Sequence, residues 1–192
     1  NQDLRDKKFR TEDGFVTTFS QELPIISDNS ELSNSFDMTT FKKLSTRSDI
    51  VGKLSFFGKT ITALSDDVRI SKRLYIPSYR LRGFAKGKVG PVENNDYIGG
   101  NHLTSVNMSA TLPNILEGLD NLDVGVFFDA ANIWGIDYNS SLDDKSTIRS
   151  SAGIGLNLLT PIGPLSFSFA NAITKASSDK TETFRFNLGT QF

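Results

Sequence analysis

The chain has 192 residues, 21 basic and 22 acidic, a net charge of −1, one histidine and no cysteine. That length accommodates one domain or part of one, the missing cysteine excludes a disulfide framework, a thiolate metal site and thiol catalysis, and the balanced charge argues against a nucleic-acid protein, which needs a basic face. The apolar runs are too short for a transmembrane helix, while a mean hydropathy of −0.24 leaves open a membrane β-barrel, whose apolar face is hidden in alternate residues.

Asn1 to Arg10 is polar and is expected to be the tail of a strand begun upstream, with Asn1 a cut in mid-chain. Thr11-Glu12-Asp13-Gly14 is a turn signal. Phe15–Glu22 alternates, with Phe15, Thr17 and Phe19 on one face and Val16, Thr18 and Ser20 on the other. Leu23–Asn34 reads as a polar loop, Ser35–Leu44 as a weaker strand with Phe36, Met38 and Thr40 on one side, and Ile50–Leu64 as a third strand. After a long connection, Gly99-Gly100 opens a fourth strand to Leu112, with Val106, Met108, Ala110 and Leu112 on one face. Leu122–Trp134 is the fifth, setting Val124, Val126, Phe128 and Ala130 against Asp123, Gly125, Phe127 and Asp129. Thr147–Leu159, Leu165–Asn171 and Glu182–Phe192 complete the set, with Pro161-Ile162-Gly163-Pro164 as a tight turn. The period of two predicts an antiparallel all-β protein. Strands of about nine to eleven residues have the length that crosses a bilayer at a tilt.

The connection from Ser65 to Gly99 is 35 residues long. It carries Arg69, Lys72, Arg73, Arg80, Arg82, Lys86 and Lys88 against Asp66, Asp67, Glu93 and Asp96, a local charge of +3. Tyr75, Tyr79, Phe84 and Tyr97 give it packing surface. A loop of that length is functional or disordered far more often than it is mere connection, and a functional loop is the expectation here. An eight-stranded barrel is just filled by its own side chains, so a barrel that took in this loop would need more wall than the chain supplies.

The second strand face bears on the solvent. A soluble sandwich packs one face and exposes a charged one. Here the polar face of the later strands is small, with Ser151, Gly153, Gly155, Ser166, Ser168 and Gly189. Small polar residues suit a barrel lumen, but alternation alone leaves sandwich and membrane barrel evenly matched.

An ordered set of motifs goes further. Arg82-Gly83-Phe84 is followed by Val89-Gly90-Pro91, Gly99-Gly100-Asn101, Val126-Phe127-Phe128-Asp129, Asn132-Ile133-Trp134, Ile148-Arg149-Ser150-Ser151-Ala152-Gly153, Thr160-Pro161-Ile162-Gly163-Pro164-Leu165 and Phe184-Arg185-Phe186-Asn187-Leu188-Gly189, with Phe192 last. From about Thr11 onward the chain resembles the C-terminal half of the barrel of the BamA family of outer-membrane protein assembly factors. That resemblance implies a transmembrane antiparallel barrel of sixteen strands, of which this chain would hold the end of the eighth and the ninth to sixteenth. Residues 65–99 would fold into the lumen and residues 182–192 would form the last strand, at a lateral seam with the first. Periplasmic POTRA domains would lie upstream.

The resemblance also implies residue roles. Arg82 would pair with Asp129 on the inner wall, against the alternative of an exposed arginine contributing little. The family often places a glutamate near this arginine on its twelfth strand, and alignment puts Ser109 there. Gly83 would allow a tight turn, and Phe84 would anchor the loop. Phe184 and Phe186 would line the seam. Gly189 would be either a kink that opens the seam or simply a small lumen residue. Phe192 would be an assembly signal or one more interfacial aromatic. His102 lacks the neighbours of a metal site or catalytic base, and Asp66-Asp67 and Asp143-Asp144 read as solvated loop acids.

The function implied is non-enzymatic and cofactor-free: insertion of outer-membrane proteins through the seam in the bacterial outer membrane. The partners would be unfolded clients, lipoproteins docked on the upstream domains, and outer-membrane lipid. The alternative is a pore that exports one protein substrate, as in two-partner transporters, and a barrel enzyme is disfavoured by the single histidine.

Overall fold

The computed structural model describes residues 1–8, 11–24, 31–45, 49–64, 67–113, 121–142, 147–160 and 163–188. One antiparallel sheet contains β1 (Gln2–Asp3), β2 (Gly14–Glu22), β3 (Glu31–Lys43) and β4 (Val51–Ala63). It continues, beyond the two short strands β5 (Val92–Glu93) and β6 (Asp96–Tyr97), with β7 (His102–Pro113), β8 (Leu122–Trp134), β9 (Arg149–Thr160), β10 (Gly163–Thr174) and β11 (Phe184–Leu188). Among the described residues the order is β1-β2-β3-β4-β7-β8-β9-β10-β11, nine strands, with β5 and β6 a separate hairpin and the sheet not closed. Each long strand pairs with its neighbour in sequence, which is the up-and-down plan that hairpin connections produce. No α-helix occurs among the described residues.

The register shows why the alternation matters. Thr39, Ser55, Asn107, Asp129 and Ser151 form one continuous rung across five strands. The neighbouring rung, one residue along, runs Thr40, Leu54, Met108, Phe128 and Ala152. Because successive side chains point to opposite faces, the first rung faces inward and the second outward. The outward residues are large and exposed: Phe56, Met108, Val126, Ile154 and Phe169 are among them. No second sheet covers that face among the described residues, which separates the two readings of the sequence. A sandwich would bury it, whereas a bilayer-facing barrel wall leaves it bare.

Several strand boundaries differ from the sequence expectation. β3 begins at Glu31, within the stretch expected to be loop. Its early residues are polar because Ser33 is buried on the inner face, where polar side chains belong. β10 runs on to Thr174, with a bulge between Ala172 and Thr174. β3, β4 and β8 each have 13 residues, above the roughly nine to eleven of a typical tilted crossing, with β8 at its expected bounds. At about 3.3 Å per residue and a tilt near 45° they still cover roughly 30 Å of hydrocarbon.

The core lies inside the curved sheet, between the wall and the long connection. Ile76, Leu81, Phe84 and Val89 from the connection pack against Leu103, Ala131 and Ile133 from β7 and β8. The connection is pinned at its neck, where Leu74 and Gly100 exchange backbone hydrogen bonds of 2.8 and 3.1 Å. It contains a single turn of 3-10 helix at Ile70–Lys72 and the β5–β6 hairpin. Asn94 and Asn95 take φ of 49° and 67° at the tip of that hairpin, the left-handed pair that a two-residue hairpin turn demands and asparagine tolerates.

Candidate functional site

The segment Arg80 to Phe84 crosses the inner wall roughly at right angles to the strands and meets one strand after another. A turn closed by the Arg80 amide donating to the Pro77 carbonyl (2.9 Å) aims it inward. The Arg80 guanidinium bonds Asp37 on β3 and lies over the Phe57 ring on β4, 4.0 Å from its centroid. Its carbonyl accepts a 2.7 Å bond from Asn107 Nδ2 on β7.

Arg82 then reaches β8. Its Nε donates to Asp129 Oδ2 and its Nη2 to Asp129 Oδ1, both at 2.8 Å, and its backbone N–H adds a third bond to Oδ2 at 3.1 Å. Asn107 Nδ2 donates a fourth, to Oδ1, at 2.8 Å. Asp129 is 0 % exposed, so four donors replace the water its carboxylate has lost. A buried charge is tolerable only when satisfied in this way. The guanidinium also stacks on Phe127, 3.4 Å from the ring centroid. A Cβ on Gly153 would fall 2.8 Å from Phe127 Cζ and 2.0 Å from the Phe169 carbonyl oxygen. Glycine at this position therefore leaves the ring room to lie flat.

The next residues carry the segment to the far edge. The Arg82 carbonyl accepts from Ser151 Oγ on β9. Gly83 has φ +87°, and a Cβ there would lie 3.2 Å from the Cβ atoms of both Ser151 and Ala170 on β10. Both the backbone shape and the space favour glycine. Phe84 is buried in the core, and its carbonyl accepts a 2.6 Å bond from Arg185 Nη2 on β11.

A second buried ion pair holds the outer part of the connection. Arg149 donates Nε to Asp179 Oδ2 at 2.9 Å and Nη2 to Oδ1 at 3.2 Å, with both side chains fully buried. Arg149 Nη1 also reaches Asn132 Oδ1 and the Thr147 carbonyl. Asp179 in turn accepts the Gly90 and Ala176 amides at 3.2 and 2.6 Å. The Tyr97 hydroxyl donates to the Ser178 carbonyl. Burial, and then the nearby Asp179 carboxylate, push its pKa up, so the donor keeps its proton.

Below the crossing segment a polar concavity of about 330 Å³ opens, bordered by Lys53, Arg80, Arg82, Asn107, Ser109 and Asn157 among others. No cluster of three metal-ligating side chains occurs among the described residues. His102 starts β7 beside Trp134, with ring centroids 5.6 Å apart. Asp67 is exposed, while Asp66, Asp143, Asp144, Pro161 and Ile162 lie outside the described residues.

Of the residues expected from the sequence, Arg82, Gly83, Phe84 and Asp129 are brought together. Ser109 sits opposite Phe127, on whose ring Arg82 stacks, whereas Asn107 is the β7 residue opposite Asp129 and donates to its carboxylate. Phe184 and Phe186 point outward from β11, 47 % and 51 % exposed. They pair with Phe169 and Phe167 on β10, with centroids 4.9 and 5.2 Å apart. Gly189 and Phe192 lie outside the described residues.

Asp37, Asn107, Asp179 and the anchoring role of Arg185 were not anticipated. The available signal was parity: a charged or amide residue at an inward position of an otherwise small-residue face needs a partner inside.

The family model described as the Omp85 superfamily domain matches residues 1–192. The chain is 28% identical over 128 residues to an outer membrane protein assembly factor BamA of Neorickettsia risticii, covering 65% of this chain and 17% of that protein. It is 31% identical over 141 residues to a BamA of Neisseria meningitidis serogroup B, covering 58% and 17%. Among solved structures it matches BamA from Haemophilus ducreyi lacking POTRA domains 1-3, with a TM-score of 0.86 and 25% identity over 95% of this chain and 39% of that one. The chain thus spans about a sixth of the length of these curated relatives.

Proposed function

The chain belongs to the Omp85 superfamily, and from that premise we propose that it is the C-terminal part of the barrel of an outer-membrane assembly factor. Its wall sits in the bacterial outer membrane, and its work is to help other outer-membrane proteins fold and insert. The observation that carries the proposal is the edge strand β11. It pairs with β10 alone among the described residues, and Phe184, Phe186 and Leu188 turn outward from it. An edge strand offers N–H and C=O groups to an incoming strand, and strand addition at such an edge is a general mode of recognition. Folding of the client supplies the free energy, so the reading requires neither cofactor nor catalytic residue.

The similarity to BamA from two bacteria and to the BamA fold supports this reading over a dedicated export pore. Clients are then unfolded outer-membrane proteins, and assembly lipoproteins dock on upstream domains. Residues 65–99 act as an internal brace locked by Arg82 and Asp129, with Gly83 and Phe84 shaping and anchoring the tip. Residues 182–192 form the seam, Gly189 and Phe192 included.

The test uses the full-length protein in liposomes. It should speed the folding of several unrelated barrel clients, read as protease-resistant, heat-modifiable product. Export of a single partner protein with no effect on barrel clients would replace the proposal with the pore.

A further inference from the structure

The crossing segment ends on the strand that ends the sheet, and one side chain makes that connection. Arg185 lies on the inward face of β11, 11 % exposed as a side chain. Its Nη1 donates to the Ser78 carbonyl at 2.8 Å and its Nη2 to the Phe84 carbonyl at 2.6 Å. Glu182 holds the guanidinium from the other side through Nε at 3.0 Å. The two carbonyls flank the segment Tyr79–Gly83, so the arginine grips it at both ends.

The backbone repeats the connection. The Glu182 amide donates to the Gly83 carbonyl at 3.0 Å and the Ala85 amide to the Lys180 carbonyl at 2.9 Å, around a bridge between Phe84 and Thr181. The residues leading into β11 are therefore paired with the loop tip itself. Among the described residues the other side of β11 has no strand, and its register with β10 runs over Leu165–Phe169, continued by the Ala170 amide donating to the Thr183 carbonyl at 2.9 Å. Two charge-assisted bonds to the loop thus add to the five residue pairs that the described part of β11 makes with β10.

We propose that Arg185 is a positioning residue that couples the internal loop to the edge strand. The seating of the loop at Asp129 and the placement of β11 are then one cooperative event. Releasing Arg82 from Asp129 lets Gly83 and Phe84 drift. Their carbonyls leave Arg185 and Glu182, and β11 loses its inward anchor. This deepens the proposed seam and rests on that reading for its purpose, but the coupling is a property of the fold alone and can be tested without a client.

The experiment is hydrogen exchange on the full-length protein in lipid nanodiscs, following amides of the loop tip (residues 79–88) and of β11 (residues 184–188). Arg185→Gln should raise exchange about tenfold in both segments, the size of one lost charge-assisted bond, while β3 and β4 stay protected. Arg82→Ala, whose partner Asp129 lies three strands from β11 in sheet order, should raise exchange in β11 as well as in the loop. Arg185→Lys keeps the charge but lacks the fork that spans two carbonyls, and should give an intermediate effect in both. If Arg185→Gln loosens β11 and leaves the loop tip at its original rate, or Arg82→Ala loosens only the loop, the coupling is overturned. Should Arg185→Gln fail to insert in the membrane, the Lys variant and Arg82→Ala decide by the same criterion. Client insertion measured on these samples is independent. Linked exchange without insertion would sink the insertase reading and leave the coupling, and insertion without linked exchange would do the reverse.

Discussion

Asp129 shows how much one buried carboxylate can organise. It accepts four hydrogen bonds, three from Arg82 and one from Asn107. Asp129→Asn keeps the volume but removes the charge and turns an amino group towards the guanidinium. Breaking a buried pair by removing one partner costs about 3–5 kcal/mol. Arg82 keeps a quarter of its side-chain surface exposed, so the lower end, about 3 kcal/mol, is expected. The readout is trypsin cleavage after Arg80 or Arg82 in the folded, membrane-embedded full-length protein: slow in the parent, fast in Asp129→Asn. Equal cleavage would mean that the carboxylate does not hold the loop. Arg82→Lys should resemble Arg82→Ala more than the parent, because a point charge cannot satisfy both oxygens and stack flat on Phe127. Gly83→Val should give the same loosened loop by a different route. Its β-carbon would crowd Ser151 and Ala170, at a φ of +87° that a β-branched residue avoids; trypsin resistance equal to the parent's would show that the tip has room to spare.

At the scale of elements, the strands were legible because period two is written into each of them, and Leu122–Trp134 was read to the residue. The misjudged start of β3 has a plain cause: turn signals in sequence are polar residues, and the lumen face of a barrel wall is polar too, so Glu31–Asn34 looks like loop while it pairs as strand. The site was legible only in part. Arg82, Gly83 and Phe84 stand together in a motif, and Asp129 follows from strand parity. Asn107 depends on inter-strand register, which a single sequence does not fix to the residue. The long connection is where element and function meet. Its neck, Leu74 paired with Gly100, offers a splice point at which residues 75–99 can be replaced by a short Gly-Ser linker without stretching either strand. The β4–β7 ladder makes no use of those residues, so the full-length protein should still run as a heat-modifiable barrel on gels. Its lumen, stripped of Ile76, Leu81, Phe84 and Val89, should then conduct several-fold more current in a planar bilayer. Unchanged conductance would show that the connection does not plug the lumen.

Across the whole molecule the two faces of the sheet make opposite demands. The outer face carries exposed Phe56, Met108, Val126, Phe169 and Phe186, and the apolar band is continuous across the strands. The inner face holds its charges only because the connection lies over it, from Asp37 on β3 to Arg185 on β11. That crossing spans six inter-strand gaps, about 29 Å of wall. A flat sheet would pull Arg80 and Phe84 away from their outermost partners, so the internal bonds require a curved wall and help to maintain it. Among the described residues β1 and β11 are the two edges of the sheet, each with one strand neighbour. Unpaired edges beside an apolar face are what drives strands to pair between molecules. Residues 1–192 alone, refolded in detergent, should therefore appear as dimers and larger species by light scattering, joined edge to edge. The same residues within a longer chain that supplies the remaining wall should be monomeric, because closure removes both edges at once. A monodisperse monomer of the 192 residues with the loop trypsin-resistant would mean that the Arg80–Phe84 crossing alone is enough to hold the curve, and that the edges need no partner.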